Sequence, residues 1–211
     1  MTQQEKLDVL NKEWGRKKMS LGQMATNAVP GEGNPNAEVL FIGEAPGKAE
    51  DEQGKPFVGA AGKFLTELIK SIGWTREDVF IANLIKHRPP DNRDPMPQEL
   101  AEYTPWLDKQ IEIIEPKLIV TLGRYSMAYL LGEGLTISQV HGQPKRNSHN
   151  QVVIPMYHPA AALYRGDLRP VLKADWQKII KVLKLIDEGK EVDNNNQENK
   201  ELSKKEQAIP L

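Results

Sequence analysis

Val39-Leu40-Phe41-Ile42 runs directly into Gly43-Glu44-Ala45-Pro46-Gly47, and this join between an apolar run and a glycine-proline loop indicates the fold. A short run of β-branched and aromatic residues predicts a buried strand, and the segment after it predicts a loop. Three more apolar runs end in the same way: residues 79–82 precede Asn83, residues 118–122 precede Gly123, and residues 152–156 precede Tyr157 and His158.

Amphipathic helical patterns separate these four runs. The clearest cover residues 64–72, 97–114 and 174–188, where apolar residues recur at helical spacing. Strands that alternate with helices predict a parallel sheet with right-handed crossovers. We therefore expect an α/β fold, a three-layer αβα sandwich whose central four-stranded parallel sheet has the order 2-1-3-4. Ligands bind beyond the carboxyl ends of such strands, so the loops that begin at Gly43 and Gly123 should flank a crevice.

The chain has 211 residues, a formal net charge of −1 and no cysteine. This length suits one domain, which we place at residues 1–187, followed by a disordered, low-complexity tail at 188–211. Disulfides and thiolate metal sites are excluded, and the net charge provides no overall basic field. No apolar stretch reaches transmembrane length, and the start of the chain lacks the apolar core of a signal peptide, so we expect a cytoplasmic protein with no membrane association.

Two residues suit recognition of a flat ligand that forms hydrogen bonds. Phe57 lies in Pro56-Phe57-Val58-Gly59, an apolar island within a charged loop, where its ring can stack on a ligand or can anchor the loop. Asn83 ends an apolar run, and its amide offers one acceptor and two donors, which match a ring N–H beside a carbonyl. The same amide could instead cap the backbone at the end of the strand.

A histidine and two acids complete the candidate site. Pro159 holds His158 extended, and its ring can then donate a hydrogen bond to an oxygen that gains charge, or can serve the structure alone. Glu44 and Glu50 follow the first strand and are either solvated charges or site residues. The loop that begins at Gly43 is neither a P-loop nor a dinucleotide-binding loop, because it lacks both the Gly-Lys-Ser/Thr ending and the Gly-x-Gly-x-x-Gly spacing.

The order of the motifs is more specific than any single residue. Five motifs occur in a fixed order along most of the chain. They are Gly43-Glu44-Ala45-Pro46-Gly47 with Glu50 and Asp51, Pro56-Phe57-Val58-Gly59, Asn83, Lys86-x-Arg88-Pro89-Pro90-x-Asn92-Arg93, and His158-Pro159-Ala160. This ordered set resembles the family-4 uracil-DNA glycosylases. The resemblance implies an enzyme that flips uracil out of DNA and hydrolyses its N-glycosidic bond, which leaves an abasic site and initiates base excision repair.

The resemblance also implies roles within a uracil pocket. Phe57 would stack on the flipped base, Asn83 would bond its N3–H and O4, and His158 would stabilise the anionic O2 of the departing uracil. The implied catalytic residues are His158, Asn83, Glu44 and Glu50. The implied substrate-binding residues are Gly43, Ala45, Phe57, Asn83, Asn92 and His158, with Glu50 paired to Asn92 to close the site.

The same resemblance implies contacts with uracil-containing DNA, single- or double-stranded. Arg88 and Arg93 would meet phosphates, and Leu163, Tyr164 and Arg165 would fill the gap that the flipped base leaves. We expect a monomer. We also expect a monofunctional glycosylase, because no lysine stands where a Schiff-base nucleophile would be needed. Two alternatives to the enzyme stay open: a relative that binds uracil in DNA without excising it, and a scaffold protein.

The chain departs from family-4 enzymes at the [4Fe–4S] cluster that those enzymes hold on four cysteines. The matching positions here are Arg16, Met19, His87 and Tyr103. Because such clusters need thiolates, we expect no cofactor and no metal site. We expect Met19 and Tyr103 to pack in the place of the cluster, together with Trp14 or Trp106.

The end of the chain carries one further motif. Gln207-Ala208-Ile209-Pro210-Leu211 loosely resembles a peptide that binds a sliding clamp, although Pro210 stands where a larger apolar residue is usual. An uninvolved tail is the alternative interpretation.

Overall fold

A computed structural model describes residues 1–192 of the chain, and residues 193–211 lie outside the described part. The clamp-like peptide at 207–211 belongs to the latter. Within the described residues the packed chain reaches Val192, whose side chain is buried against the core. The packed part therefore extends beyond residue 187, where the sequence predicted the domain to end.

The sheet has six strands in the order β1-β3-β2-β4-β6-β5. The strands are β1 (Glu32–Gly33), β2 (Val39–Gly43), β3 (Phe80–Asn83), β4 (Leu118–Leu122), β5 (Lys145–Arg146) and β6 (Val152–Met156). The central four are parallel and lie in the predicted order 2-1-3-4. The predicted number of strands was wrong, because β1 and β5 add a short antiparallel strand at each edge.

Eight α-helices accompany these strands within residues 1–192. They are α1 (Gln3–Trp14), α2 (Lys48–Gln53), α3 (Ala60–Ser71), α4 (Pro97–Ile114), α5 (Arg124–Leu131), α6 (Ile137–Val140), α7 (Ala161–Tyr164) and α8 (Leu168–Asp187). Short 3-10 helices cover Leu21–Gln23, Arg76–Asp78 and Pro90–Asn92. None of the helices in this part of the chain is both long and apolar enough to cross a membrane.

The two faces of the sheet bury separate apolar cores. On one face Phe41 and Ile154 pack with α3 and α8, and the ring of Phe41 stacks on Trp176 with 4.9 Å between ring centroids. On the other face Ile42 and Val153 pack with α1, α4 and α5. Apolar side chains on both sides of the parallel strands are typical of a sheet covered by helices. The predicted three-layer sandwich is therefore confirmed.

Strand register brings the predicted site residues to one edge of the sheet. Gly43 at the end of β2 is paired with Asn83 at the end of β3. On the other side of β2, β4 and β6 end together, and the amide of Gly123 donates to the carbonyl of Met156 at 2.9 Å. The four central strands all run in the same direction, so the loops that follow them leave the sheet at the same end, beyond the carboxyl ends of the strands.

Candidate active site

A cavity of about 510 Å³ lies beyond the carboxyl ends of β2 and β3. Its size falls within the range of small-molecule sites. Seven of the predicted catalytic and substrate-binding residues line it: Glu44, Ala45, Glu50, Phe57, Asn83, Asn92 and His158. The predicted DNA-contacting residues Arg93 and Tyr164 also line it, whereas Gly43 is the last residue of β2 and is not part of the lining.

Asn83 presents an unused hydrogen-bonding group at the floor of this cavity. Its side chain is 2% exposed, and Oδ1 has no hydrogen-bond partner among the described residues. The amide therefore does not cap the backbone, which was the alternative interpretation of this residue. Leaving a buried polar atom without a partner costs about 1–3 kcal/mol, so an unpaired atom of this kind calls for an explanation. A ligand N–H in the cavity would supply the missing donor.

His158 is poised as a neutral hydrogen-bond donor. Its Nδ1 accepts a hydrogen bond from the amide of Ala160 at 3.1 Å, so the single proton of the neutral ring resides on Nε2. Burial lowers the pKa of His158 to about 4, against an opposing attraction from Glu50. The imidazole is therefore uncharged at neutral pH and offers Nε2–H to an acceptor in the cavity.

Phe57 holds its ring over the cavity from an unusual backbone conformation. Its φ is +52°, in the left-handed region, which costs a non-glycine residue about 1–3 kcal/mol. The ring centroid lies 5.6 Å from that of His158, and the two ring planes differ by 28°. The two rings are thus adjacent in the lining of the cavity, and a flat ligand can stack against Phe57.

Glu50 and Asn92 do not form the expected pair in the described structure. Oε1 of Glu50 accepts hydrogen bonds from the amides of Val58 and Gly59, both at 2.9 Å. Oδ1 of Asn92 instead accepts from Nε of Arg88 at 2.8 Å. One carboxylate oxygen of Glu50 thus supports the Phe57 loop, because it accepts both N–H groups that follow Phe57.

Glu44 is the acid whose environment is most perturbed in the cavity. Burial and the nearby carboxylate of Asp94 raise the pKa of Glu44 to about 6, while Arg124 opposes them. Arg124 forms an ion pair with Asp94 at 2.6 Å, which joins the segment after β3 to the first residue of α5. Neither Asp94 nor Arg124 was among the residues predicted from the sequence, although a shifted carboxyl in a cleft is typical of catalytic sites.

Of the predicted DNA-contacting residues, Arg93 and Tyr164 line the cavity, and Leu163 and Arg165 neighbour Tyr164 in and after α7. Tyr164 is 89% exposed and Leu163 is 43% exposed on α7, so both project into solvent. Arg165 is exposed and pairs with Asp167 at 2.7 Å. Arg93 is engaged by both carboxylate oxygens of Glu99, at 2.8 and 2.5 Å, and is therefore bound to α4 in this state.

The positions that match cluster cysteines hold a packed hydrogen-bonded pair. Tyr103 and Met19 are buried, and Nδ1 of His87 lies 2.7 Å from the Tyr103 hydroxyl. Arg16 is exposed, and no three metal-binding side chains come together within residues 1–192. Trp14 stacks on Trp106, with 5.7 Å between ring centroids, where α1 meets α4. This set of side chains does not fit an iron–sulfur cluster, which requires thiolates.

Two basic residues near the site, the fully buried Lys86 and the partly buried Arg76, were missed by sequence reasoning. Nζ of Lys86 donates to the Asn83 carbonyl at 2.7 Å and to Oε1 of Gln110 at 2.5 Å, and burial lowers its pKa to about 7. Arg76 donates to the carbonyls of Pro56 and Phe57. Lys86 stands within a recognised motif, so its position was a signal, whereas nothing in the local sequence around Arg76 indicates its distant partners.

Comparison with known proteins bears on the whole chain. Residues 30–183 match the family model of the uracil DNA glycosylase superfamily. The type-4 uracil-DNA glycosylase of Sulfurisphaera tokodaii is 53% identical over 171 residues, which cover 77% of this chain and 78% of the relative. That of Archaeoglobus fulgidus is 46% identical over 82% of this chain and 90% of the relative. The type-5 uracil-DNA glycosylase of Thermus thermophilus is more distant, at 31% identity over 56% of this chain and 60% of the relative. On this evidence the chain belongs to the uracil DNA glycosylase superfamily.

Proposed function

We propose that the protein is a monofunctional uracil-DNA glycosylase that initiates base excision repair. The observation that carries this function is the unpaired, buried Oδ1 of Asn83, a residue that lines the same cavity as the neutral ring of His158. Uracil supplies a matching N3–H for the acceptor and a carbonyl O2 for the donor. The identity to type-4 enzymes over most of the chain supports the same assignment.

Asn83 explains how uracil is told from cytosine. Its Oδ1 would accept uracil N3–H, and its Nδ2 would donate to O4. Cytosine carries a lone pair at N3 and an amino group at C4, so both contacts would be reversed. A site built around buried polar groups rejects the wrong pattern strongly, because those groups are then left unpaired.

His158 would act on the leaving group. The bond between uracil N1 and the sugar C1′ breaks, and its electron pair departs with the base as a uracil anion. Nε2–H of His158 would donate to the O2 atom on which this charge accumulates, and such fixed donors stabilise a transition state without reorganisation. A neutral imidazole is suited to this role because it keeps its proton while it donates.

Glu44 would complete the hydrolysis. Water adds to the electron-poor C1′, and its proton must leave to a base. The Glu44 carboxyl, with its pKa raised to about 6, is mostly ionised at neutral pH and can accept that proton. This assigns proton transfer to Glu44 and leaves Glu50 to hold the Phe57 loop.

DNA would bind across the mouth of the cavity. Tyr164 and Leu163, which are exposed on α7, would fill the gap that a flipped uracil leaves in the stack, and Arg88 and Arg165 would meet phosphates. The cavity is lined on its sides by residues of this chain, and we infer that the enzyme acts as a monomer. A DNA substrate, single- or double-stranded, further favours a cytoplasmic enzyme.

We also infer that the enzyme works without an iron–sulfur cluster. The support is the complete lack of cysteine in the chain and the buried His87–Tyr103 pair at two of the four cluster positions. The pair joins the segment after β3 to α4, as a shared cofactor would otherwise do.

The test is single-turnover excision from a uracil-containing oligonucleotide, with abasic sites revealed by alkaline cleavage. Asn83→Ala and His158→Ala should each lower the rate on the order of 100-fold or more, because each removes a contact to the base. Exposed residues of the same types, Asn36→Ala and His149→Ala, are matched controls. Tight binding of uracil-containing DNA by the wild type without alkali-labile sites would instead identify a binding-only protein.

A further inference from the structure

The turn that presents Phe57 must be held in place from outside. Its left-handed φ of +52° is not a conformation that an aromatic residue adopts without support. Support on one side comes from Glu50, whose Oε1 accepts from the two amides after Phe57. That leaves the carbonyl groups on the other side of the turn to be held by another residue.

Arg76 holds those carbonyl groups. Its Nη1 donates to the Phe57 carbonyl at 3.1 Å and its Nη2 donates to the Pro56 carbonyl at 2.7 Å. Arg76 lies in the 3-10 helix that leads into β3 and does not line the cavity. A guanidinium suits this task because its planar fork delivers two parallel donors, which an ammonium group cannot do.

Arg76 is itself oriented by the edge of the sheet. Oε1 of Glu32 in β1 accepts from Nη2 at 2.7 Å and from Nε at 3.2 Å. The side chains of Arg76 and Glu32 are only 18% and 31% exposed, so this ion pair is largely shielded from water. The short edge strand β1 thereby fixes the direction in which the guanidinium points.

Close packing transmits any movement of this turn to the ring. A Cβ placed on Gly62 would lie 1.8 Å from the Phe57 carbonyl oxygen, so the backbone of α3 is pressed directly against the turn. At the other end, a Cβ placed on Gly43 would lie 2.7 Å from Cζ of the Phe57 ring. A shift of the Phe57 carbonyl therefore has no slack to absorb it and must tilt the ring.

We propose that Arg76 is a positioning residue for catalysis, which fixes the plane of the Phe57 ring so that it stacks on the flipped uracil. This inference rests on the proposed function, since it assigns Arg76 to the same base-binding site. Arg76 touches neither the base nor the reacting atoms and acts through the Pro56 and Phe57 carbonyls.

The decisive experiment is a double-mutant cycle between Arg76→Gln and Phe57→Ala, read by single-turnover excision and by inhibition with free uracil. Arg76→Gln should lower the excision rate about 10- to 100-fold, as expected for a misplacement of about 1 Å, and should weaken uracil inhibition. In the Phe57→Ala background the same change should alter both readouts by less than about 2-fold, because the ring it positions is gone. Arg76→Lys, which keeps the charge but loses the planar fork of donors, should give an intermediate rate.

Two further variants separate positioning from a general effect on the fold. Lys117→Gln is a control that also removes a cation, because Lys117 forms ion pairs with Glu38 and Asp187. Lys117 precedes β4, at the end of the sheet away from the cavity, so this variant should leave excision unchanged. Glu32→Gln loosens Arg76 without removing it, and takes over the cycle with Phe57→Ala if Arg76→Gln does not fold.

Full additivity of either cycle would overturn the proposal, as would wild-type excision by folded Arg76→Gln. The activity of the wild-type enzyme on uracil-containing DNA tests the proposed function separately. A wild type that excises uracil, combined with an additive cycle, would refute the role of Arg76 alone.

Discussion

Adding one methyl group at Gly43 should disable the site while the fold survives. Gly43 of β2 is paired with Asn83 of the neighbouring parallel strand β3, and its backbone is extended. An ideal Cβ on Gly43 would lie 2.3 Å from Oδ1 of Asn83 and 2.7 Å from Cζ of Phe57. Ordinary contact begins near 3.4 Å, so in Gly43→Ala the amide or the ring must move by about 1 Å.

The two expected effects differ in size. A misplacement of about 1 Å at reacting groups costs on the order of 100-fold in rate. Overpacking by a methyl group costs typically about 1–3 kcal/mol of stability, which leaves a protein of ordinary stability folded.

Single-turnover excision by Gly43→Ala, with thermal unfolding measured on the same sample, tests both effects. Gly166→Ala is the control, since a Cβ there meets nothing within 4 Å. A folded Gly43→Ala enzyme with wild-type excision would show that the close approach of β2 to Asn83 and Phe57 does not shape the base pocket.

Two other predictions concern acidity and iron. Because the pKa of Glu44 is raised to about 6 and its ionised form is the active one, kcat/KM should fall about tenfold per pH unit below about pH 6. The native Asp94 raises the pKa of Glu44 and the native Arg124 lowers it. Asp94→Asn should therefore move this limb of the pH profile to lower pH, and Arg124→Gln should move it to higher pH. A limb that neither variant moves would exclude Glu44 as the base. Purified protein should contain no stoichiometric iron and should keep its excision rate after treatment with a chelator. An iron content equivalent to about one cluster per chain would contradict the inference that the His87–Tyr103 pair stands in place of a cluster.

The central sheet could be predicted from sequence because each parallel strand is an apolar run of four or five residues between helical patterns. Strand order then followed from general rules of topology. The edge strands β1 and β5 could not be predicted, since two residues such as Lys145 and Arg146 carry no period. Val192 was assigned to the tail because a single apolar residue among charged neighbours gives no sign that it packs on the core.

The placement of the site could also be predicted, because strand-end residues such as Asn83 and His158 converge whenever the strands are parallel. Their partners could not. Glu50 was expected to bond Asn92, but its oxygen meets the nearer amides of Val58 and Gly59. Arg76 is far from Phe57 in sequence, and only the folded chain brings the two together.

The pairing of Gly43 with Asn83 has a consequence for how selectivity is achieved. Both residues end neighbouring parallel strands that are buried along their whole length, and buried strands open locally far less readily than exposed segments. The floor of the pocket is therefore rigid. Tyr164, which lies on an exposed one-turn helix, belongs instead to an adaptable surface that can contact DNA of many sequences. Contact with DNA and recognition of the base thus fall to parts of the protein that differ in rigidity. An incorrect base cannot bind by deforming the pocket floor.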